Sequence, residues 1–357
     1  MTTTRKSNLE LLRIIGILMI VMMHFCGQGG FSAANNPAVA FLGSAGRLSV
    51  NIFLLIGCWF MVDATFRPER IVKLYLQVVF YSVPITLLMF ALGEYGGFRN
   101  LFQGLVPFFG RSVWFASAYI SLIAMSPFLN KAFLLPISAL RKLVLLLFIL
   151  FVVVSTIPNF SPIDYVADFT WFCVVYVFTG WAKRDRLFDR LGSKWPCLAL
   201  SVLMYGALCS AACWFPLGGL AAYWATNIKS APAFLIALFV FAFFLKLDIG
   251  SRKWINLAAR SVFAVYIIHQ IPAFMQYEWH TLFRADWLAH QSVAAQAIGI
   301  PAVAAIVFAG ASLVDALRLR LEPHYLRMPP VQWLIRRISQ ALASCLRTGP
   351  TCRCSRP

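Results

Sequence analysis

Apolar segments of membrane-crossing length follow one another along almost the whole chain. About 20 helical residues span the hydrocarbon core of a bilayer, and runs of roughly that length recur between short polar stretches. The second and fifth runs are shorter than the others. The pattern predicts about ten spans, at Leu9–Gly27, Ser49–Asp63, Ile71–Leu92, Val113–Leu129, Leu143–Ile157, Val166–Ala182, Cys197–Phe215, Ser230–Leu245, Ser261–Tyr277 and Ser292–Leu313.

These runs predict an all-α fold, a polytopic membrane helix bundle of about ten transmembrane helices with both termini cytoplasmic. The first run is too long and too polar for a cleavable signal peptide, because it carries Glu10, Arg13 and His24. We therefore expect residues 1–320 to form one integral-membrane domain. Residues 321–357 are expected to form a short basic cytoplasmic tail that need not be ordered.

Composition narrows the class of protein further. Of the 357 residues, 61% are hydrophobic and 12% are charged. So little polar surface cannot cover a water-exposed globule, which excludes a soluble enzyme, and the high apolar content excludes a disordered chain. The net charge of +18 lies between apolar runs, so it favours a membrane protein facing an anionic leaflet over a nucleic-acid-binding protein.

The distribution of Lys and Arg predicts the orientation. If the N-terminus is cytoplasmic, roughly 25 of the 31 cations fall in cytoplasmic segments and about five in external ones. This asymmetry agrees with the positive-inside rule. It predicts an even number of spans and a multi-pass protein of the cell membrane.

Two ionisable residues of the first span are expected to share one helix face. Ser7 and Glu10 have the spacing of a capping box, which would start the helix near the cytoplasmic side. Arg13 and His24 are eleven residues apart, or about three turns and roughly 16 Å. Charged groups in the bilayer are costly and mark functional sites. The alternative is an Arg that snorkels beside Glu10 and a His bonded to a backbone carbonyl.

A basic cluster precedes the third span. Arg67, Arg70 and Lys73 recur at three-residue intervals, and Pro68 suits the first turn of a helix. Cations at a helix start are suited to binding phosphate groups. The alternative is a plain positive-inside anchor.

Four weaker candidates complete a predicted pocket with Glu10. Asn51 lies within the second span, and Trp114 and Tyr119 lie at the start and in the interior of the fourth. His269 lies deep in the ninth span. The two aromatic residues could equally be interfacial anchors, and His269 could be a buried histidine with a structural hydrogen bond.

Five sequence elements, taken in order, resemble the acyltransferase-3 family of integral-membrane O-acyltransferases, bacterial proteins that acylate cell-surface glycans. The resemblance covers roughly residues 5–320. The family often has Ser-Gly where this chain has Gly57-Cys58, so a role for that serine hydroxyl is in doubt here. The elements are Arg13 and His24 with ten residues between them, Asn51–Phe60, Arg67 with Arg70, Val113–Asn130 with Tyr119, and Ser261–His269.

The resemblance implies a membrane-bound O-acyltransferase. Its donor would be cytoplasmic acyl-CoA, most simply acetyl-CoA, bound through Arg67, Arg70 and Lys73, with Arg13 deeper in the same site. The acceptor would be a hydroxyl of an extracytoplasmic glycan or lipid-linked sugar. His24 would act as general base, with a covalent acyl-His relay as the less favoured variant. No metal and no permanently bound cofactor is expected.

Two other classes of function remain open from the residues alone. A ten-helix bundle with ionisable groups inside the membrane could be a transporter or a proton-coupled carrier. It could also be a signalling or scaffold protein whose polar residues are structural. Acyl transfer by the purified protein, as opposed to substrate flux without chemistry, would separate the first class from these.

Overall fold

The computed structural model describes residues 6–109, 113–158, 168–215 and 218–347, and every regular element in this part of the chain is helical. The all-α class is therefore confirmed. Residues 348–357 of the predicted tail lie outside the described residues. Short helical turns occur at Pro107–Phe109, Asn130–Leu134, Leu187–Arg190 and Ala285–Ala289. The helices are α1 (Asn8–Gln28), α2 (Pro37–Met61), α3 (Glu69–Ala91), α4 (Phe98–Leu105), α5 (Trp114–Leu129), α6 (Ile137–Thr156), α7 (Asp168–Arg184), α8 (Lys194–Trp214), α9 (Gly218–Thr226), α10 (Ala231–Lys246), α11 (Lys253–Ile268), α12 (Pro272–Leu282), α13 (Val293–Tyr325) and α14 (Pro329–Arg347).

Each of the ten predicted spans corresponds to one of these helices or to a bent pair. Within the described ranges, six helices are long and apolar enough to cross a membrane: α1, α2, α3, α6, α8 and α13. The bent pairs α9–α10 and α11–α12 raise this number to eight. Helices α5 and α7 have 16 and 17 residues, which is short for the hydrocarbon core. The exact number of crossings and the side of each terminus stay predictions.

Segments predicted to be cytoplasmic contact one another at one end of the bundle. We call this the basic end and define it by residues 6–7, 63–73, 141–142, 183–194 and 246–253. Four polar contacts join these segments there: Ser7–Gly250, Asp63–Lys183, Arg141–Asp185 and Gly192–Lys246. Segments predicted to be external contact one another at the other end, through the pairs Asn35–Cys213, Asn36–Gln296 and Ser155–Tyr223.

One contact at the basic end is a charged pair outside the spans. Arg141 donates to Asp185 at 2.5 Å, and Arg190 donates to the same carboxylate at 2.9 Å. The hydrogen bond from Arg141 holds the pKa of Asp185 below its usual range. The carboxylate is therefore ionised at neutral pH and joins the start of α6 to the end of α7.

Helix α2 lies at the centre of the bundle. Most of its residues are buried, and it packs against α1, α7, α8 and α10. The outer helices instead present large apolar side chains to the surroundings, such as Leu145, Leu203 and Leu313, which are 59%, 69% and 75% exposed. Apolar surface of this extent is expected where lipid replaces water.

The predicted capping box at the start of α1 does not form. Ser7 is the N-cap, but its side chain makes no capping bond to the helix. Its hydroxyl instead donates to Asn256 at 2.9 Å and accepts from the Arg252 backbone N–H at 2.7 Å. Tertiary contacts with the residue before α11 and with its first turn therefore replace the local cap.

A buried ion cluster joins α3 to α13. The Arg318 Nε atom donates to the Tyr81 hydroxyl and to Asp315 Oδ1, both at 2.7 Å. Tyr81 also donates to Asp315, and Arg318 pairs with Glu322. Asp315 and Tyr81 are fully buried, and Arg318 is 5% exposed. The cluster holds the middle of α3 against the last third of α13.

Candidate active site

A cavity of about 340 Å³ lies inside the bundle, among α1, α2, α5 and α11. Arg13 and His24 both line it, so the two ionisable residues of the first predicted span share one interior space and do not face lipid separately. Most of the other walls are apolar or aromatic. The lining residues with polar groups are Arg13, His24, Arg47, Trp114, Tyr119, Arg260 and Tyr266.

Two further spaces adjoin this cavity on the side of the basic end. A space of about 540 Å³ shares Arg13 with the cavity and is also lined by Arg70 and Lys73. Arg70 and Lys73 in turn line an open groove of about 1150 Å³ that includes Arg67. We call the three spaces together the passage. It leads from Arg67 at the basic end to His24 inside the bundle.

The helical repeat explains why Arg13 and His24 share a wall of the passage. Eleven steps of about 100° bring the second side chain to within about 20° of the first, and α1 is unbroken between them. Arg13 Nη1 lies 3.4 Å from both carboxylate oxygens of the buried Glu10. The pairing expected for a snorkelling arginine is therefore present, yet the same guanidinium also lines the passage.

Gly46 allows α2 to approach α1 beside His24. A Cβ atom at this position would lie 2.5 Å from the Cβ atom of Met23 and 2.9 Å from the carbonyl oxygen of Met19. Any larger residue would push the two helices apart. Because Arg47 follows directly, this close packing also positions its guanidinium in the wall of the cavity.

His24 forms a pair with His269. The Nδ1 atom of His24 lies 2.9 Å from Nε2 of His269, although the two residues are 245 positions apart in the chain. Nδ1 of His269 lies 2.5 Å from the carbonyl oxygen of Val265. His269 is fully buried, and Trp279 packs against its ring at 6.2 Å between centroids.

These contacts decide where the protons lie in a neutral pair. A carbonyl oxygen only accepts, so Nδ1 of His269 carries its proton and Nε2 is the acceptor. Nδ1 of His24 must then donate to His269, which leaves Nε2 of His24 with a free lone pair. The Gln270 side-chain nitrogen Nε2 lies 3.0 Å from the same Nδ1 atom of His24. Because that Nδ1 atom carries a proton in this arrangement, the Gln270 amide must be turned over so that its oxygen faces the N–H and accepts from it. His24 is thus held in the tautomer that a general base requires.

A break between α11 and α12 positions His269. The two helices meet at an angle of 86°, and Pro272 opens the second helix. Proline has no N–H to continue the first helix, and it favours an extended residue before it. Ile271 has that extended conformation, with φ −68° and ψ 117°. The Val265 carbonyl accepts the backbone N–H of His269 at 3.4 Å, and its second lone pair accepts from the His269 side chain.

Replacement of His269 by phenylalanine is expected to lower turnover roughly 10- to 100-fold, as is typical for partners that orient a reactive group. His269 acts through His24, so the KM for the acyl donor should stay unchanged while kcat falls. His269→Gln keeps an acceptor for the His24 N–H and should recover part of the loss. Steady-state kinetics on purified protein would measure both values, and an unchanged kcat for His269→Phe would contradict the orienting role.

The other predicted site residues divide between the passage and the helix packing. Trp114 and Tyr119 line the cavity. Asn51 is not among its lining residues in the described part of the chain. It is fully buried, donates to the Ile228 carbonyl at 2.7 Å and accepts from the Trp171 indole at 2.9 Å. Asn51 therefore joins α2 to α7 and to the residues before α10.

The sequence reasoning missed Arg47 and Arg260 as residues of the cavity. Arg47 was expected outside the membrane, before a span starting at Ser49, but α2 begins at Pro37. Asn36 caps this helix by accepting from the Val39 N–H at 3.2 Å. An Asn followed by Pro is a recognisable helix start, so this boundary could have been found.

The passage contains cations that have no counter-ion among the residues that the structure describes. Among the described residues, Arg47, Arg70, Lys73 and Arg260 form no ion pair and no side-chain hydrogen bond, although Arg47 interacts electrostatically with His24. Cations in a partly desolvated space bind phosphate or a developing negative charge more strongly than they would in water. The arrangement is therefore suited to an anionic ligand whose reactive group reaches His24.

Comparison with known proteins gives one match. The family model described as an acyltransferase domain matches residues 6–315. This range contains Arg13, His24, the basic cluster of Arg67, Arg70 and Lys73, and His269. No curated protein and no solved structure shows significant similarity to the chain.

Proposed function

Because the chain belongs to the acyltransferase-3 family, with its acyltransferase domain over residues 6–315, we propose that it transfers an acyl group from acyl-CoA to a sugar hydroxyl across the cell membrane. The acyl group is most simply acetyl. The acceptor is a cell-surface glycan or a lipid-linked sugar on the far side. The observation that carries this proposal is the passage from the basic end to His24, whose Nε2 atom has a free lone pair.

The donor is proposed to bind with its nucleotide at the basic end, facing the cytoplasm. Arg67, Arg70 and Lys73 are exposed there and line the groove. Guanidinium groups bind phosphate with paired charge-assisted hydrogen bonds, which makes them suited to the diphosphate and the 3′-phosphate of coenzyme A. The slender pantetheine arm would then pass Arg13 and bring the thioester towards His24, roughly 16 Å along α1.

The chemistry is proposed to run through the free lone pair of His24. Nε2 removes the proton of the acceptor hydroxyl as its oxygen attacks the thioester carbonyl. The carbon–sulfur bond then breaks, the new ester forms, and the imidazolium returns the proton to the leaving thiolate of coenzyme A. Arg47 lines the same cavity and is placed to stabilise the oxyanion of the tetrahedral intermediate. A covalent acyl-His24 relay is the variant with the same residues.

A test in cells compares the surface glycans with and without this gene by mass spectrometry. The proposal expects a loss of mass that corresponds to one acyl group per modified sugar. Restoration by the wild-type gene, but not by a His24→Ala variant made in equal amount, would attribute the change to this protein. Identical glycans in both strains would overturn the proposed acceptor class.

The phosphate-binding role of the basic cluster gives a second expected result. Arg67→Ala and Arg70→Ala should each raise the KM for acetyl-CoA about tenfold, because each removes a charge-assisted hydrogen bond. Arg99→Ala is a matched control, since Arg99 is exposed and lies outside the passage. An equal KM for all three variants would contradict donor binding by Arg67 and Arg70.

One observation favours a second candidate, a transporter. Broken helices at membrane depth are typical of secondary transporters, and both α9–α10 and α11–α12 are bent pairs. The two candidate functions, acyl transfer and transport, predict different chemistry. Purified protein in liposomes would consume thioester and release free coenzyme A if it is an acyltransferase, whereas a transporter would move substrate with the thioester concentration unchanged.

A further inference from the structure

The C-terminal helix α14 forms one wall of the groove at the basic end. Its groove-lining residues are Gln332, Ile335, Arg336, Ser339 and Gln340. These positions repeat at intervals of three and four residues and so form one stripe along a helix. The family match ends at residue 315, so this wall lies in a part of the chain to which no role has been assigned.

The two walls of the groove carry like charges that nothing in the described protein neutralises. Arg67, Arg70 and Lys73 lie on one side, and Arg327 and Arg336 lie on the other. Among the described residues none of these five cations forms an ion pair, and Glu69 is the one acidic residue in the lining. Like charges facing each other repel, and an anion bound between them would relieve that repulsion.

Neutral donors accompany these charges. The Ser339 side chain lines the groove, and its buried hydroxyl has no hydrogen-bond partner. The side chain of Gln340 also lines the groove. A nucleotide offers acceptors of both kinds, namely phosphate oxygens for the cations and ribose or base atoms for neutral donors.

The groove also has the size and the connection that a coenzyme needs. Its volume of about 1150 Å³ lies just above the usual range of roughly 300–1,000 Å³ for small-molecule sites. Arg70 and Lys73 line both this groove and the space that leads to Arg13. A ligand bound in the groove can therefore extend a narrow arm into the neighbouring space and towards Arg13.

We propose that α14 and the residues just before it complete the coenzyme A site, with Arg327 and Arg336 binding the nucleotide phosphates opposite Arg67 and Arg70. This inference rests on the proposed function, since it assumes an acyl-CoA donor. It makes residues 327–340 part of substrate recognition. The expected basic tail is, in this part, a wall of the site.

The groove suits a coenzyme better than an anionic lipid surface, because it is concave and adjoins the interior space that Arg70 and Lys73 also line. The same helix has a different side for a bilayer. Trp333 is 59% exposed, and the Arg337 guanidinium stacks on its ring at 5.5 Å. Neither residue lines the groove. An aromatic residue beside a cation is typical of the membrane interface. Arg337 therefore lies on the side of α14 that suits a bilayer, whereas Arg336 lies on the side that lines the groove.

The experiment measures steady-state KM values of purified full-length protein for acetyl-CoA and for S-acetylpantetheine, which lacks the nucleotide. Arg336→Gln and Arg327→Gln should each raise the KM for acetyl-CoA about tenfold and leave the KM for S-acetylpantetheine unchanged. Arg337→Gln is the matched control, with the same change of charge on the same helix, and should stay within about twofold for both donors. Arg336→Lys keeps the charge and should recover most of the affinity.

Each other outcome would overturn the proposal. Equal effects of Arg336→Gln and Arg337→Gln would indicate general electrostatic attraction, and an equal rise for both donors would indicate a structural disturbance. An Arg336→Gln effect that requires anionic lipid, and disappears in neutral-lipid nanodiscs, would identify a lipid headgroup as the ligand. Turnover of acetyl-CoA by the wild-type protein is the separate test of the proposed function, because it is expected whether or not α14 contacts the nucleotide. A wild-type protein that turns over no acyl-CoA would overturn both proposals.

Discussion

Replacement of His24 by alanine is expected to reduce acyl transfer roughly 10²- to 10⁴-fold, the usual contribution of a positioned general base. An alcohol is a weak nucleophile at neutral pH, and Nε2 of His24 is the free imidazole nitrogen of the His24–His269 pair. This substitution changes neither Arg13 nor the residues of the basic end. The KM for acyl-CoA should therefore change little, while kcat falls.

The measurement is the rate of acyl transfer by purified protein at saturating donor, together with glycan acylation in cells that contain equal amounts of each variant. His290→Ala is a matched control, because His290 is exposed and lies outside the passage. It should retain wild-type turnover. Undiminished transfer by the His24→Ala variant would exclude both the general base and the covalent relay.

The largest expected effect on stability comes from Arg318. Arg318→Met should lower the free energy of unfolding by about 3–5 kcal/mol, the usual cost of leaving one partner of a buried ion pair without its counter-charge. The Asp315 carboxylate would remain fully buried, with Oδ2 already lacking a partner and Oδ1 held by Tyr81. Thermal or denaturant unfolding of the detergent-solubilised protein would measure the loss.

Two companion variants separate this charge effect from a general disturbance of α13. Arg320→Met removes an exposed cation two residues away on the same helix and should change stability by less than about 1 kcal/mol. The double variant Asp315→Leu with Arg318→Met removes both buried charges, and it should recover much of the stability lost by the single variant. A double variant less stable than Arg318→Met would contradict the uncompensated charge as the cause.

The hydrophobic pattern was sufficient to predict the helices but not their ends. Each predicted span corresponds to a helix or a bent pair because burial in lipid requires an apolar run, which can be read locally. The start of α2 was predicted twelve residues too late because residues 37–48 contain small and polar side chains that the protein interior accepts. Helix α14 was missed because it is amphipathic. Its apolar residues are interspersed with polar ones, so they form no continuous apolar run.

For the candidate site, periodicity predicted what lies on one helix and could not predict what two helices bring together. Arg13 and His24 share a cavity because the repeat of α1 fixes their relative direction. The contact of His24 with His269 depends instead on how α1 packs against α11 and on the break at Pro272. Asn51 shows the opposite case, since a polar residue in an apolar run satisfied helix packing and not the cavity.

The unpaired guanidinium groups along the passage have a consequence for the membrane itself. Acyl transfer across the membrane, as proposed, requires the passage to admit reactants from both sides, and such an opening would ordinarily leak protons and metal cations and so discharge the ion gradient of the cell. The positive charges of Arg47, Arg70 and Arg260 raise an electrostatic barrier against every cation, as an arginine does in water channels. Under the proposed function, the charges that bind a polyanionic coenzyme would also keep protons and metal cations from crossing the bilayer through the passage.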